Sequence, residues 1–559
     1  MRTFLRTWLR QPSSMVYVLL FCAVMGLAFY SRFSNLYART QWFDDSARDM
    51  LIAKKIYESG TVGTVRPFAG AGQGVLNNSI IYYNILALFW MVGKSSLSVM
   101  YSFTFFGVLA LLAGWEIGRQ VGGKWLGLAC LALLAINTTL AQYQLSVYQR
   151  NFLPSFALII VAVSLWVWKC PSLRRLIFLH FVFTFGVLLH YGLLTLAPGV
   201  LLMTFLVWRR NIHPPLEKAA ALLISFLGCS VFWMVTTFSS PLRFLLFSQQ
   251  TTLENVPAQG AWATWELHVA AIYDFLQRVY SFTSFSELLP VVWMLFWLLG
   301  FWLFFQPKIS AAFRIYFFYL STYFLNHLVF LQAGQIHFTG SAYTTQYQAL
   351  ALLLIPIVVF IFLQHAGCSG KKILSVLAVT AITFFALEWR SLQALPIAEK
   401  YSNEVTAAKK ITEQIMADYA QLRTERPHYQ NFVLTDYTSW ATPGWFTPAF
   451  LSFVEEEEGR SYAKLKSDHN NLAYTFSTPA DVIYLVCHQW KNQNGLYDIS
   501  EEIAQQECLE PFILFYLLNY TQADYQKVER SLLIGSNDNP MGVNVYRITR
   551  PTSEGEFMY

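Results

Sequence analysis

Charge is what this sequence has least of for its length. Of 559 residues only 39 are Lys or Arg and 33 Asp or Glu, while 55% are hydrophobic and 17% aromatic, a balance outside the range of soluble globular chains. The shortage excludes a soluble fold and leaves a polytopic membrane protein. The net charge of +6 is weak and points to no nucleic-acid partner; it fits loop lysines and arginines that hold helices in orientation. Cysteine is sparse too. Five of the seven (Cys22, Cys130, Cys170, Cys229, Cys368) lie in or beside apolar segments. Only Cys487 and Cys508 fall in a polar region, where one disulfide is open to them in an oxidising compartment. A small-residue cleavage site is also missing after the first apolar run, 15–30. With Arg2, Arg6 and Arg10 before it, this run reads as a retained first helix with a cytoplasmic N-terminus.

The basic residues that are present fall in clusters: Arg119 with Lys124, Lys169 with Arg174 and Arg175, Arg209 with Arg210 and Lys218, Lys308 with Arg314, and Lys371 with Lys372. With every cluster cytoplasmic, the chain between neighbours goes out and comes back. The outward and returning runs are then 125–140 with 152–168, 176–189 with 193–208, 219–238 with 288–305, and 315–331 with 347–363. A last helix, 373–387, leads outward. The run 79–92 is too short to pair with 97–116 without inverting this pattern, so it is expected as an interfacial or re-entrant helix on the outer side. About eleven crossings result. Large outer features are a first loop, 31–96, a loop at 239–287, and the tail.

The tail differs in kind. From Trp389 onward polarity rises, "YSNEVTAAKKITEQIMADYAQLR" has helical periodicity, and "NFVLTD", "DVIYLV" and "VNVYRI" read as short buried strands. The expectation is a transmembrane domain over 1–388 and a C-terminal α/β domain over 389–559 on the outer face. "VEEEEGR" at Val454 reads as a solvated run. "NNS" at Asn77 and "NYT" at Asn519 match a glycosylation pattern too short to argue from.

Charge returns in the first outer loop. "DSARDMLIAKKIYESG" reads as an amphipathic helix closed by Gly60, in which Asp45, Arg48 and Asp49 stand at i, i+3 and i+4 and share a face. Two readings fit. In the local one Asp44 caps the helix, Asp45 favours its dipole and Arg48 pairs with Asp49 or a lipid phosphate. In the functional one an aspartate faces a cavity at the membrane surface and acts as a base, and the two acids divide the roles.

"FDDSARDMLIAKKIYESG", together with the topology, resembles the polyprenyl-phosphate-sugar-dependent membrane glycosyltransferases of the GT-C superfamily, the group of protein O-mannosyltransferases and lipid A aminoarabinose transferases. "RPFAGAGQGVLNNSIIYYNILALFWMVG" resembles the Gly-rich approach and Tyr-rich juxtamembrane helix of that family. "SVYQRNFLPSFALI" resembles its Arg/Asn/Pro turn, and "LLHYGLLTLAPGV" its His-Tyr outer turn. The resemblance covers roughly the first 210 residues in motif and the rest in architecture. It implies a GT-C fold, with Asp45 as catalytic acid and Asp44 beside it. The family's acidic or amide neighbour is Ser46 here, so that helper role falls open to Asp44 or Asp49. The family's Pro-rich loop motif has no counterpart, and no metal or second-acid role is carried over from it.

On that resemblance the implied reaction is sugar transfer from a polyprenyl-phosphate donor to a hydroxyl of a lipid, glycan or protein acceptor, by inversion, at the outer face of a bacterial inner or plasma membrane. It needs one carboxylate to deprotonate the acceptor and one or two cations to offset charge on the departing phosphate. The phosphate-binding candidates are Arg150, Arg66 and His190, each with a bland alternative: lipid headgroups for Arg150, an acid of its own loop for Arg66, a structural turn for His190. Arg48, Asp49, Tyr82, Tyr191, His337 and Tyr343 are supporting candidates. No cofactor is required, and a divalent metal stays open. The rival reading, a transporter or flippase of a lipid-linked saccharide, predicts internal repeats and midplane charges. The sequence has no convincing repeat and few acids within the apolar runs.

Overall fold

The computed structural model describes residues 12–34, 36, 44–60, 80–211, 289–332, 341–394, 399–427, 432–438, 482–488, 505, 509, 529–535 and 544–549. Arg66, Asn77, His337, Asn519, the run 219–238, the loop 239–287 and the acidic run after Val454 lie outside them. Helix α1 (Pro12–Phe33) is followed by α2 (Asp44–Ser59), α3 (Ile80–Gly93), α4 (Ser96–Gly122), α5 (Lys124–Ile136) and α6 (Thr138–Leu145). A 3-10 turn (Gln149–Phe152) leads into α7 (Leu153–Lys169) and α8 (Leu173–Leu189), and a second (Tyr191–Leu196) into α9 (Ala197–Asn211). Then come α10 (Leu289–Phe305), α11 (Ala311–Gln332), α12 (Ser341–Leu352), α13 (Leu354–His365), α14 (Gly370–Ala394) and α15 (Glu399–Glu425). Four strands complete the described elements: β1 (Phe432–Thr438), β2 (Val482–His488), β3 (Glu529–Ile534) and β4 (Asn544–Thr549).

The chain divides into two compact units, residues 1–36, 64–82 and 101–397 in one, and 37–63, 83–100 and 398–559 in the other. The first is a bundle of apolar helices. Among the described residues six are long and apolar enough to cross a membrane, or seven when the bent pair α5 and α6 counts as one. Outward faces of α1 and α10 carry Met15, Leu19, Leu295, Leu298 and Phe305, apolar groups that only lipid tails solvate at no cost. The inside is built on α7, whose Leu153, Phe156, Ile160, Val161 and Leu165 are buried. Polar groups at this depth bond to one another: Ser164 Oγ with Tyr319 Oη at 2.7 Å, Thr322 Oγ1 with Tyr347 Oη at 2.8 Å, and Tyr316 Oη to Leu350 O at 2.7 Å.

Helices occupy the described apolar runs, with 347–363 shared between α12 and α13 and 125–140 sharply broken. The run 125–140, expected as a single helix, is two helices, α5 and α6, meeting at Asn137 with a 65° bend. Asn137 has φ −69° and ψ 113°, an extended conformation that ends the first ladder. The run 79–92 forms α3, a helix of 14 residues, about 21 Å long at 1.5 Å per residue.

Helices α4 and α5 approach unusually closely. Gly114, Gly118 and Gly122 recur every four residues along one stripe of α4, and a Cβ on Gly118 would lie 2.9 Å from the Gly127 Cα and 2.9 Å from the Leu126 carbonyl oxygen of α5. Both obstacles are backbone and cannot rotate away, so small residues set the helix spacing here.

In the second unit the sheet order is β1-β2-β4-β3, with β1 parallel to β2 and the other pairs antiparallel. "VIYLVC" of β2 is buried without alternation, the pattern of a strand covered on both faces. Helix α15 buries Ile411, Ile415, Tyr419 and Leu422 on one stripe, and Asp418 beside them bonds Arg547 Nη1 of β4 at 2.7 Å and Tyr484 Oη of β2 at 2.7 Å. Burial, reinforced by Asp418, keeps the Tyr484 phenol protonated far above its usual range, so it stays a donor. The three strands read from the sequence are β1, β2 and β4; β3 was not read. Cys487 is disulfide-bonded, its partner lying outside the described residues.

Alanine at Gly118 gains about 1 kcal/mol of helix propensity but meets rigid backbone, and overpacking costs about 1–3 kcal/mol. Gly118→Ala should therefore lower the melting temperature of the detergent-solubilised protein; an unchanged or raised midpoint would show that α4 and α5 are free to separate.

Candidate active site

Helix α2 begins at Asp44 and ends at Ser59, with Gly60 at φ +62° after it. Glycine takes this left-handed conformation without a Cβ penalty. Asp44 itself lies within the helix. Helical spacing puts Asp45, Arg48 and Asp49 on one face; Asp44, Asp45 and Arg48 are described as backbone only. Asp49 is 1% exposed and accepts a hydrogen bond from Tyr83 Oη at 2.9 Å. This bond joins α2 to α3, and it assigns Asp49 a partner the sequence did not suggest. The neighbouring Tyr82, expected in a supporting role, is buried with its ring edge-on to Phe152, 6.0 Å between centroids.

In the membrane unit the two 3-10 turns meet. The side chain of Gln149 donates to Leu189 O, and Asn151 Nδ2 donates to Ser146 O at 2.7 Å, closing the loop between α6 and α7 on itself. Arg150 stands on this turn, half-buried, with its guanidinium over the Tyr148 ring, 5.2 Å from the ring centre. His190 lies close enough for the Arg150 charge to act on it. Its Nδ1 accepts the Gly192 N–H at 3.0 Å, which places the ring proton on Nε2. Burial first, and then Arg150, push the imidazole down to about 3. His190 is therefore neutral at physiological pH, and in this structure it caps the Tyr191–Leu196 turn. Of the three expected phosphate ligands, two come together, one charged and one neutral. Tyr191 opens the second turn and Tyr343 lies in the first turn of α12; both are described as backbone only.

Behind these turns is a polar cluster that sequence reasoning missed. The break at Asn137 leaves carbonyls of α5 without helical partners, and Arg32 of α1, fully buried, supplies them. Its Nη2 donates to Leu134 O at 2.8 Å, its Nη1 to Ala135 O at 2.5 Å and to Ser31 Oγ at 2.6 Å, and its Nε to Gln144 Oε1 at 2.8 Å. On the other side of the break Asn137 Oδ1 caps α6 through the Leu140 N–H at 2.7 Å. Glu388 of α14, also fully buried, accepts from Thr138 Oγ1 at 2.7 Å and from Asn137 Nδ2 at 3.4 Å. A carboxylate at the positive end of α6 and a guanidinium on the carbonyls of α5 each match the dipole they face. The signal lay in "INTTL" inside one apolar run and in single charges near the ends of two others. Among the described residues no three His, Cys, Asp or Glu side chains group as metal ligands.

The chain has the fold of the GT-C membrane glycosyltransferases: a polytopic helical domain with a C-terminal domain. It is similar to ArnT from Cupriavidus metallidurans bound to undecaprenyl phosphate, at 11% identity and a TM-score of 0.51, over 96% of this chain and 99% of that one. The apo state of that protein gives 11% identity and a TM-score of 0.50 over 97% and 100%. The Archaeoglobus fulgidus oligosaccharyltransferase in complex with Zn and sulfate gives 12% and 0.44 over 84% and 68%. No protein-family profile and no curated protein sequence matches the chain.

The neutral state of His190 carries a pH dependence. Its folded pKa of about 3 lies below the unfolded value of 6.5, so at lower pH the unfolded chain binds a proton that the folded chain refuses. The stability is present above pH 6.5 and lost progressively as pH falls toward 3. The wild-type melting temperature should therefore drop more steeply between pH 6.5 and 4 than that of His190→Asn; parallel curves would show that His190 is solvated and charged.

Proposed function

We propose that the protein is a membrane glycosyltransferase that moves a sugar from a polyprenyl-phosphate donor to an acceptor hydroxyl on the non-cytoplasmic side. The observation that carries this reading is the likeness along both full chains to a protein bound to undecaprenyl phosphate. Arg150 on its turn adds to it. The acceptor is a lipid, a glycan or a protein.

In this reaction the acceptor O–H gives its proton to Asp45, its oxygen attacks the anomeric carbon, and the bond from that carbon to the phosphate oxygen breaks. Attack opposite the leaving group inverts the anomeric centre. The electron pair leaves with the polyprenyl phosphate, whose growing charge is met by the Arg150 fork. Near His190, Arg150 is the cation and the neutral ring offers at most one hydrogen bond. Asp44 and Arg48 support the helix that presents Asp45, and Asp49 fixes that helix through Tyr83. Arg66 remains a second candidate for the donor phosphate, and Tyr82, Tyr191, His337 and Tyr343 remain supporting candidates.

Topology supports the same side for the two turns and the proposed chemistry. Helices α7 and α8 form a hairpin whose closed end carries Lys169, Arg174 and Arg175, while Arg150 and His190 sit at its other end. With the basic end cytoplasmic, Arg150 and His190 are extracytoplasmic, in a bacterial inner or plasma membrane, and the N-terminus is cytoplasmic. The functional division is a glycosyltransferase domain over 1–388, with 31–96 as its first outer loop, and an extracytoplasmic domain over 389–559.

Asp45→Asn keeps the shape of the side chain and removes the proton acceptor. It should lower transfer from a polyprenyl-phosphate sugar by about a hundredfold or more at matched thermal stability, whereas Asp44→Asn should cost little. Near-normal transfer by Asp45→Asn would end its assignment as base. Arg150→Ala should raise the donor concentration needed for half-maximal rate, with only partial recovery in Arg150→Lys because the planar fork is lost; unchanged turnover at limiting donor would remove Arg150 from the site.

A further inference from the structure

Arg150 owes its position to a short chain of contacts that begins on α1 and α14, both far from it in sequence. The turn that carries it, Gln149–Phe152, directly follows α6, and Asn151 folds that turn back onto Ser146, the first residue after α6. The direction of α6 therefore decides where Arg150 is presented. That direction is the 65° departure from α5, and an α-helix does not hold such a bend without groups inserted into its ladder.

The inserted groups are Arg32 and Glu388. Arg32 satisfies the last turn of α5 from α1, and by Nε also grips Gln144, near the far end of α6. Gln144 is held from further sides: its Nε2 donates to Gly107 O at 3.1 Å and its carbonyl accepts from Thr104 Oγ1 at 3.1 Å. Glu388 reaches the start of α6 from α14, accepting from Thr138 Oγ1 and Asn137 Nδ2. The bend is thus closed on both sides by hydrogen-bonding side chains from two other helices. Neither side chain is needed for spanning, and a buried polar group of this kind is costly unless it is hydrogen-bonded. Helix packing alone has cheaper solutions, such as continuing α5 straight through an apolar residue at position 137.

We propose that Glu388, acting with Arg32, is a positioning residue for Arg150: the pair holds the broken helix at the angle that presents the Arg150 turn to the donor phosphate. The proposal rests on Arg150 being the phosphate ligand. It predicts a dependence of phosphate binding on a residue that touches neither phosphate nor sugar. A misplacement of about 1 Å in a binding group is enough to lose up to about a hundredfold, and a loosened turn that samples the right position part of the time loses about a tenth of that.

The test uses the full-length chain in detergent, with undecaprenyl phosphate alone as the probe. Its dissociation constant is measured for wild type, Glu388→Gln, Glu388→Asp, Arg150→Ala and the Glu388→Gln/Arg150→Ala pair, alongside hydrogen exchange of the segment 138–152. Glu388→Gln should raise the dissociation constant about tenfold and speed exchange across 138–152 while α9 and α11 stay unchanged. Glu388→Asp should recover most of the loss, and in the Arg150→Ala background Glu388→Gln should have no further effect. A merely structural role would weaken the probe equally in both backgrounds; that result, or unchanged exchange in 138–152, overturns the proposal. Unchanged affinity in Arg150→Ala alone, with exchange still faster in Glu388→Gln, sinks the phosphate role of Arg150 and leaves the hold on the turn standing. Should Glu388→Gln fail to fold, Thr138→Val removes one donor to Glu388 and carries the same two expectations.

Discussion

Two carbonyl groups, Leu134 O and Ala135 O, must find donors where water is scarce, and they find them in Arg32, with Ser31 Oγ as a second donor to Ala135 O. The rest of the membrane unit is arranged around that requirement. An unpaired backbone carbonyl in an apolar environment costs several kcal/mol, so α5 can end within the bundle only because Arg32 of α1 is there to receive it. Once α5 has ended, α6 is free to leave at a steep angle, capped by Asn137 and faced by Glu388. The loop after α6 then closes against the end of α8 through Gln149. A polar residue in each of four helices is committed to this single irregularity. The other irregularities, such as the Gly118 crossing of α4 with α5, are solved with small residues and no charge.

Much of the architecture was legible because it depends on local pattern. Long apolar runs and the basic residues between them mark most of the described spans, and the period of "YSNEVTAAKKITEQIMADYAQLR" marks α15. Gly60 after "KKIYES" marks the end of α2 for a steric reason that needs no neighbour. The break at Asn137 was not legible, because one asparagine and two threonines scarcely change the hydropathy of a window. What makes the break stable is a donor 103 residues earlier in the chain. Strand β3 was missed for a related reason. "ERSLLI" opens with charge and, in the observed order, pairs on one side only, so it lacks the continuous apolar run that marked β2.

The candidate site was legible in part and for a different reason. Arg150 and His190 are 40 residues apart, but both fall at turns between apolar runs on the same side of the count, and turns at one end of a hairpin meet. Their electrostatic relation was not legible. His190 was a candidate cation from its residue type; burial and the charge beside it make it neutral, a property of the folded environment alone. Asp49 shows the same limit. Its spacing from Arg48 was legible, but the bond from Tyr83 on the next helix was not, since it depends on how α2 and α3 pack.

The neutrality of His190 bears on the end of the proposed catalytic cycle as well as its beginning. A polyprenyl-phosphate sugar is a phosphodiester with one negative charge, while the polyprenyl phosphate that remains after transfer is a monoester with nearly two at neutral pH. A pocket with two fixed cations would hold the product more tightly than the substrate, and each round would end in a slow escape. Where Arg150 stands beside an imidazole that burial keeps neutral, the pair gains less attraction on going from donor to product than two cations would. The turnover of such an enzyme is then protected from its own leaving group, at the expense of some affinity for the donor it must first capture.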